Sequence, residues 1–243
     1  METHNPAAAR LLPRQPARKR DAVISDLAAV LLSARPGSRL LAAVDGVDGA
    51  GKTTFADELA AALRSAAGTR GRQVLRIGMD DFHNVRSVRY RRGRRSPEGF
   101  WLDSYNLEQF REYVLEPLAT GADRFRPRGH DLAADAVLDP EPVPAARDAL
   151  VLVDGMFLHR EELKGSWDFS VFLDVPFDVS AARMARRDGV RQPAGAQRYV
   201  GGQLRYFASA DPAARADLVL DNGDERTLRV ISAGDASYRL GSR

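Results

Sequence analysis

Residues Gly46 to Thr54 read Gly-Val-Asp-Gly-Ala-Gly-Lys-Thr-Thr, and this stretch constrains the chain more than any other. Its spacing is G-x-x-x-x-G-K-[ST], the pattern of a phosphate loop, and the flanking sequence is what such a loop needs. Leu40 to Val44 (LLAAV) reads as a buried parallel strand, while Phe55, Leu59, Ala62 and Leu63 recur at helical spacing behind the loop. The glycines allow a tight backbone path whose N–H groups converge on a phosphate, and the helix that follows adds its positive N-terminal end. A nucleoside triphosphate is therefore expected on Gly46, Asp48, Gly49, Ala50, Gly51, Lys52, Thr53 and Thr54, with Lys52 on the β- and γ-oxygens and the Thr53 hydroxyl on Mg²⁺. Only Lys19, Lys52 and Lys164 are lysines, in a chain that otherwise uses arginine for positive charge. A compact ammonium at Lys52 is thus a specific choice rather than a habit of composition.

The 243 residues, 44% hydrophobic and 28% charged, suffice for one good-sized core with insertions. The net charge of +3 and pI near 9.4 form a mild imbalance that anionic small ligands explain, not the basic stripe of a nucleic-acid binder. With no cysteine, a disulfide framework, a thiolate zinc site and a cysteine nucleophile are excluded. No apolar run approaches the roughly 18 residues needed to span a bilayer, and the N-terminus lacks the apolar core of a secretion signal, so a cytoplasmic protein is expected.

Residues 1 to 19 hold three prolines and four lysines and arginines, with Arg20 next, and read as a basic tail that does not pack. Residues 20–243 read as a single domain. Val23, Ile24, Leu27, Val30 and Leu31 predict a helix ended by Pro36-Gly37. Strands follow at Gln73 to Gly78, Ala149 to Val153, Ser170 to Val175 and Leu218 to Leu220, with helices at Asn106 to Leu118, Phe177 to Arg187 and Ala196 to Phe207. Short apolar strands alternating with helices argue a three-layer α/β fold: a parallel sheet covered on both faces, with ligands beyond the carboxyl ends of its strands.

Charged groups fall at those ends. Asp154 closes the strand ALVLV, either as a carboxylate that holds Mg²⁺ or as a cap on the next turn. Asp80 and Asp81 close the second strand, as a proton acceptor near the γ-phosphate or as an Asx turn, and strand alternation would aim the two to opposite sides. Arg183, Arg186 and Arg187 share a helical face, with Arg191 beyond; they form either a mobile lid at about 183–200 that stabilises phosphoryl charge or a solvated surface. Gly189, Gly195, Gly201 and Gly202 would give that lid flexibility. The six arginines between Arg86 and Arg95 suit a solvated loop or RNA. Phe82, Trp101 and Tyr105 either stack a base or pack the core.

The phosphate loop, the strand end Asp80-Asp81-Phe82-His83, the segment Ser96-Pro-Glu-Gly-Phe-Trp-Leu-Asp-Ser-Tyr-Asn106 and the strand end Val153-Asp-Gly-Met-Phe-Leu158 stand in one order. Over about residues 39 to 230 the chain resembles the uridine kinase and phosphoribulokinase family of phosphate-loop kinases. That resemblance implies an ATP- and Mg²⁺-dependent kinase acting on a hydroxyl of a small metabolite, with a nucleoside such as uridine foremost, and pantothenate, nicotinamide riboside or ribulose phosphate as other acceptors. It implies Asp80 as the base, Lys52, Arg183 and Arg187 in catalysis, and Thr53 with Asp154 on the metal. The acceptor would lie in the region 83–148, with His83, Asp103, Tyr105, Arg128, His130 and Asp131 as candidate contacts. The acidic residue that uridine kinases use on the ribose hydroxyls has no clean counterpart: Phe100 stands in its place, near Glu98 and Asp103. A GTPase would need N-K-x-D, which is absent; Asp221-Asn222-Gly223-Asp224 lacks the lysine. A nucleic-acid-stimulated ATPase is the remaining rival, and a homo-oligomer is compatible with the sequence.

Overall fold

A computed structural model describes residues 16–68, 71–189 and 196–240. At its centre is a seven-stranded sheet whose strands stand in the order β1 (Arg18–Lys19), β11 (Thr227–Ile231), β10 (Leu218–Asp221), β9 (Phe169–Asp174), β2 (Leu40–Gly46), β8 (Leu150–Asp154) and β3 (Val74–Gly78). The five strands β10, β9, β2, β8 and β3 run parallel. β2, β8 and β9 are buried along their whole length, which is why their sequences are continuously apolar rather than alternating. Helices α1 (Arg20–Ser33), α2 (Lys52–Ala67), α7 (Phe177–Asp188) and α8 (Ala196–Ala210) complete the α/β architecture expected from the sequence. No helix among the described residues is long and apolar enough to cross a membrane.

Two edge features depart from the sequence reading. β11 (Thr227–Ile231) runs antiparallel to β10, and Arg18–Lys19, inside the stretch read as an unpacked tail, forms β1 against Leu228 and Thr227. β1 is two basic residues and gives no strand signal, whereas Thr-Leu-Arg-Val-Ile in β11 carries β-branched strand formers around one charge, a signal passed over in the sequence. The tail before residue 16 lies outside the described residues.

After β3 the chain does not continue as strand. Met79–Phe82 is a single 3₁₀ turn, so Asp80 and Asp81 diverge by helical rotation and not by strand alternation. The insertion that follows carries α3 (Arg86–Arg89), α4 (Pro97–Asp103) and α5 (Leu107–Phe110), the last continuing through a π-helical turn at Arg111–Leu115 into α6 (Glu116–Ala119). Two small antiparallel ribbons then pair β4 (Arg124–Phe125) with β7 (Val143–Pro144) and β5 (His130–Asp131) with β6 (Ala136–Val137).

Candidate active site

The phosphate loop leaves β2 and enters α2 through two left-handed glycines, Gly49 at φ 72° and Gly51 at φ 80°. A side chain at Gly49 would also collide with the Ser180 carbonyl, 2.8 Å from an ideal Cβ. Phe55 N–H is the first to close the helical ladder, onto Gly51 O at 2.9 Å, so the N–H groups of Gly51 to Thr54 sit where a helix leaves its donors unpaired. Lys52 Nζ lies across the loop and donates to Val47 O at 2.8 Å. Gly46 and Ala50 form the buried underside of the turn.

A cavity of about 690 Å³ opens over this loop. It is lined by Asp48, Gly49, Gly51 to Thr54, Asp80, Met156, the α7 residues Arg183, Met184, Arg186 and Arg187, and Glu225. The fold therefore gathers on one space the phosphate loop, one of the paired aspartates and the α7 arginines, which lie more than 100 residues further along the chain. A slightly larger cavity, about 750 Å³, lies at the other end of the sheet near Arg39, Leu41 and Asp168. It contains none of the candidate site residues, and it faces the strand starts, where an open α/β sheet does not place its ligand.

Asp80 and Asp81 occupy different surroundings. Asp80 is exposed to the cavity, and its Oδ1 accepts the Tyr105 hydroxyl at 3.0 Å. Burial raises the Tyr105 pKa well above the ordinary tyrosine value, and the Asp80 charge adds to this, so Tyr105 stays a donor. His83 packs its ring on Tyr105 at 4.7 Å, its Nδ1 lies 2.7 Å from Asp80 O, and burial lowers its pKa, favouring the neutral ring. Asp81 is half-buried. Burial raises its pKa, Arg128 opposes the rise, and Asp80 and Asp154 add to it.

Thr53 Oγ1 donates to Asp154 Oδ2 at 2.7 Å, while Asp154 Oδ1 pairs with Arg76 at 2.9 Å. One hydroxyl and one carboxylate at the phosphate loop suit Mg²⁺, which keeps waters and takes its remaining ligands from phosphate oxygens. Among the described residues no group of three or more His, Cys, Asp or Glu is arranged to hold a metal alone. A cation here would share its shell with the nucleotide.

Other expected contacts are placed elsewhere. Asp103 is buried and gripped by Arg91 and Arg92, with Nε to carboxylate distances of 3.1 and 3.0 Å, so it anchors the arginine loop and does not open into the cavity. Asp131 Oδ1 is taken by the N–H groups of Ala133 and Ala134 at the tip of the β5–β6 ribbon. His130 is buried in that ribbon, its Nε2 3.5 Å from Asp135 Oδ1. Arg128 is exposed and faces Asp81 electrostatically. The run Arg86 to Arg95 stays largely exposed, but much of it is partnered: Arg91 and Arg92 bind Asp103, Arg89 lies 3.5 Å from Asp135, and Arg94 stacks on Tyr90. Phe82 packs edge-on to Phe110, and Trp101 against Phe157 and Tyr206, so both serve the core.

On α7, Arg183 donates to Asn222 O at 2.8 Å and Gly223 O at 3.2 Å, and Arg186 pairs with Glu225 at 3.1 Å. Gly189 is the left-handed C-cap of that helix, while Arg191 and Gly195 lie outside the described residues. Sequence reasoning missed Asn222, which is buried, donates to Ala50 O at 2.7 Å and accepts from Arg20 at 2.6 Å, bracing the loop from below. It also missed Asp45, whose carboxylate accepts from Gly46 N at 2.7 Å. An Asp-Asn-Gly strand end and an aspartate before a glycine are common turn chemistry, so no signal marked either.

The model for the phosphoribulokinase and uridine kinase family matches residues 41–193. The chain belongs to this family. It is accordingly a phosphate-loop kinase, a family of ATP-dependent enzymes with hydroxyl acceptors. No curated protein matches it. Among solved structures, a protein described as a possible uridine kinase from Bacillus stearothermophilus aligns with a TM-score of 0.64 and 24% identity, over 81% of this chain and 96% of that one. A candidate fructose transport system kinase from Silicibacter sp. TM1040 gives 0.56 and 24%, over 79% and 92%. D-glycerate 3-kinase from Cryptococcus neoformans gives 0.50 and 11%, over 78% and 87%. At these identities the likeness is one of fold.

Proposed function

We propose that this kinase transfers the γ-phosphoryl group of ATP, with Mg²⁺, to a hydroxyl of a small metabolite, a nucleoside such as uridine being the leading acceptor. The observation that carries the reading is the shared cavity: Asp80, the phosphate loop and Arg183, Arg186 and Arg187 face one space. Asp80 takes the proton of the acceptor hydroxyl as its oxygen bonds to the γ-phosphorus and the bond to the β-γ bridging oxygen breaks, leaving ADP. Tyr105 holds the Asp80 carboxylate in place through its hydroxyl. Lys52 and the α7 arginines meet the charge on the phosphoryl oxygens, and such positioning and charge stabilisation make up most of phosphoryl-transfer catalysis. Mg²⁺, when bound with the nucleotide, neutralises polyphosphate charge; Thr53 and Asp154 would hold it.

The structural neighbours are described as acting on unlike acceptors, and the acceptor is assigned to the region 83–148, where His83, Tyr105 and Arg128 are the candidate contacts. A panel of nucleosides, hexoses and their phosphates, glycerate and pantothenate, scored by ADP release with ATP and Mg²⁺, tests the reading. Uridine or another nucleoside should give the highest kcat/KM. No stimulation by any small hydroxyl compound, with stimulation by RNA or DNA that falls steeply with salt, would replace it by a nucleic-acid-dependent ATPase.

The α7 arginines provide a separate check. Arg183→Gln and Arg187→Gln should lower kcat more than they weaken ATP binding, because their charge is needed most while the phosphoryl group is in transit. Wild-type kcat in both variants and in Arg186→Gln would make the cluster a surface feature.

A further inference from the structure

Helix α8, read from sequence as ending a flexible lid, is fastened to both sides of the site. Gln203 Oε1 accepts the Asp48 N–H inside the phosphate loop at 2.8 Å. One turn further, the Tyr206 hydroxyl donates to Asp45 Oδ2, on the residue just before Gly46. Both side chains are nearly sealed from solvent, 3% and 2% exposed, and the three-residue spacing puts them on one face. Asp45 Oδ2 also accepts from Leu158 N at 3.1 Å, His159 N at 3.2 Å and His159 Nδ1 at 2.8 Å. The root of the phosphate loop, the segment after Asp154 and α8 therefore meet on one carboxylate.

The same helix is pressed onto the acceptor side. An ideal Cβ on Gly201 would lie 2.8 Å from Pro97 Cβ, and one on Gly202 2.5 Å from Phe100 Cδ1. Adjacent glycines weaken a helix interior, and here they allow backbone contact with α4; they are packing residues, not hinges. Arg198, buried on α8, donates to Arg89 O at 3.2 Å and to Gly93 O and Ser96 O at 3.4 Å, and its guanidinium lies 5.0 Å from the Tyr90 ring centre. Close-packed interiors pass displacement on rather than absorb it. A helix tied to the phosphate loop by two hydrogen bonds and to α4 by backbone contact and a buried guanidinium has few ways to follow one without the other.

We infer that α8 couples the nucleotide and acceptor sides, with Gln203 and Tyr206 as positioning residues that hold the phosphate loop to it. The inference rests on the nucleotide site proposed above and adds an element outside that site. Coupling is reciprocal, so it is measurable from the nucleotide side with no acceptor present.

The experiment is hydrogen exchange on the full chain with Mg²⁺ and a non-hydrolysed ATP analogue. In the wild type, amides of residues 46–54 should slow, and those of residues 97–103 should slow about fivefold or more, the lower end of usual inter-site coupling. Gln203→Met keeps the volume but removes the acceptor oxygen, and Tyr206→Phe removes only a hydroxyl. Each variant is compared with its own nucleotide-free state, which subtracts uniform loosening. Both should keep protection at 46–54 and lose most of it at 97–103. Full remote protection in both variants, or none at 97–103 in a wild type protected at 46–54, overturns the coupling role. Absence of protection at 46–54 in the wild type instead removes the nucleotide site, and the inference with it.

Discussion

Lys52→Ala is expected to fold normally and to lose on the order of 10²-fold or more in kcat/KM, about 3 kcal/mol of transition-state stabilisation. The ammonium makes its hydrogen bond within its own loop, to Val47 O at 2.8 Å, and belongs to no strand or helix contact of the core. Removing it leaves the apolar seat of α2, Phe55, Leu59 and Leu63, untouched. What disappears is a point charge beside the place where the β- and γ-oxygens would lie, and the donors of the helix N-terminus cannot replace a full charge. Arginine should not restore the rate, since its planar fork demands more room than the turn gives a compact ammonium. Steady-state kinetics together with a thermal unfolding curve check both halves of the expectation. Near-wild-type kcat/KM would remove the phosphate loop from the mechanism, and a large fall in melting temperature would show that Lys52 supports the fold.

The parts of this site that the sequence displays are those set by backbone necessity. A phosphate loop needs Gly49 and Gly51 in the left-handed region, and a central strand buried on both faces must be apolar throughout, so β2, β8 and β9 and the loop between β2 and α2 were legible. The edge was legible only in part. β1 is two basic residues and carries no strand signal, whereas β11 carries one in Thr227, Val230 and Ile231, interrupted by the exposed Arg229. Side-chain partnership across the fold was hidden. Asp103 and Asp80 are both aspartates beside apolar residues, yet one is buried between two arginines and the other opens onto the cavity beneath the Tyr105 hydroxyl. Their difference arises from Arg91 and Arg92 folding back twelve and eleven residues, a tertiary event that no local pattern records. The arginine run itself shows the same point: counted along the chain it suggests a basic surface, whereas in three dimensions much of its charge is spent on Asp103, Asp135 and the Tyr90 ring.

Asp80→Asn and Asp81→Asn test which of two neighbouring carboxylates takes the proton. The surroundings point to Asp80. It faces the cavity with the phosphate loop and the α7 arginines, and its Oδ1 is held by Tyr105 at 3.0 Å, which leaves the rest of the carboxylate for an incoming hydroxyl. Asp81 is half-buried beside Arg128 and Asp154, and its raised pKa follows from that burial. Such a group can order water around a cation at Asp154. Asparagine preserves the shape of either side chain, and the Tyr105 hydroxyl can still donate to an amide oxygen at position 80, so the change isolates the proton acceptor. Asp80→Asn should lower kcat roughly 10²- to 10⁴-fold with ATP affinity little changed, the usual contribution of a general base. Asp81→Asn should cost clearly less, and what it costs should appear as a higher Mg²⁺ requirement. Single-turnover rates and nucleotide affinities for the two variants, measured with the best acceptor of the panel, separate the outcomes. A larger loss at Asp81 would move the base to that residue. Small and equal losses would mean that neither carboxylate accepts the proton and that transfer proceeds by positioning and charge stabilisation alone.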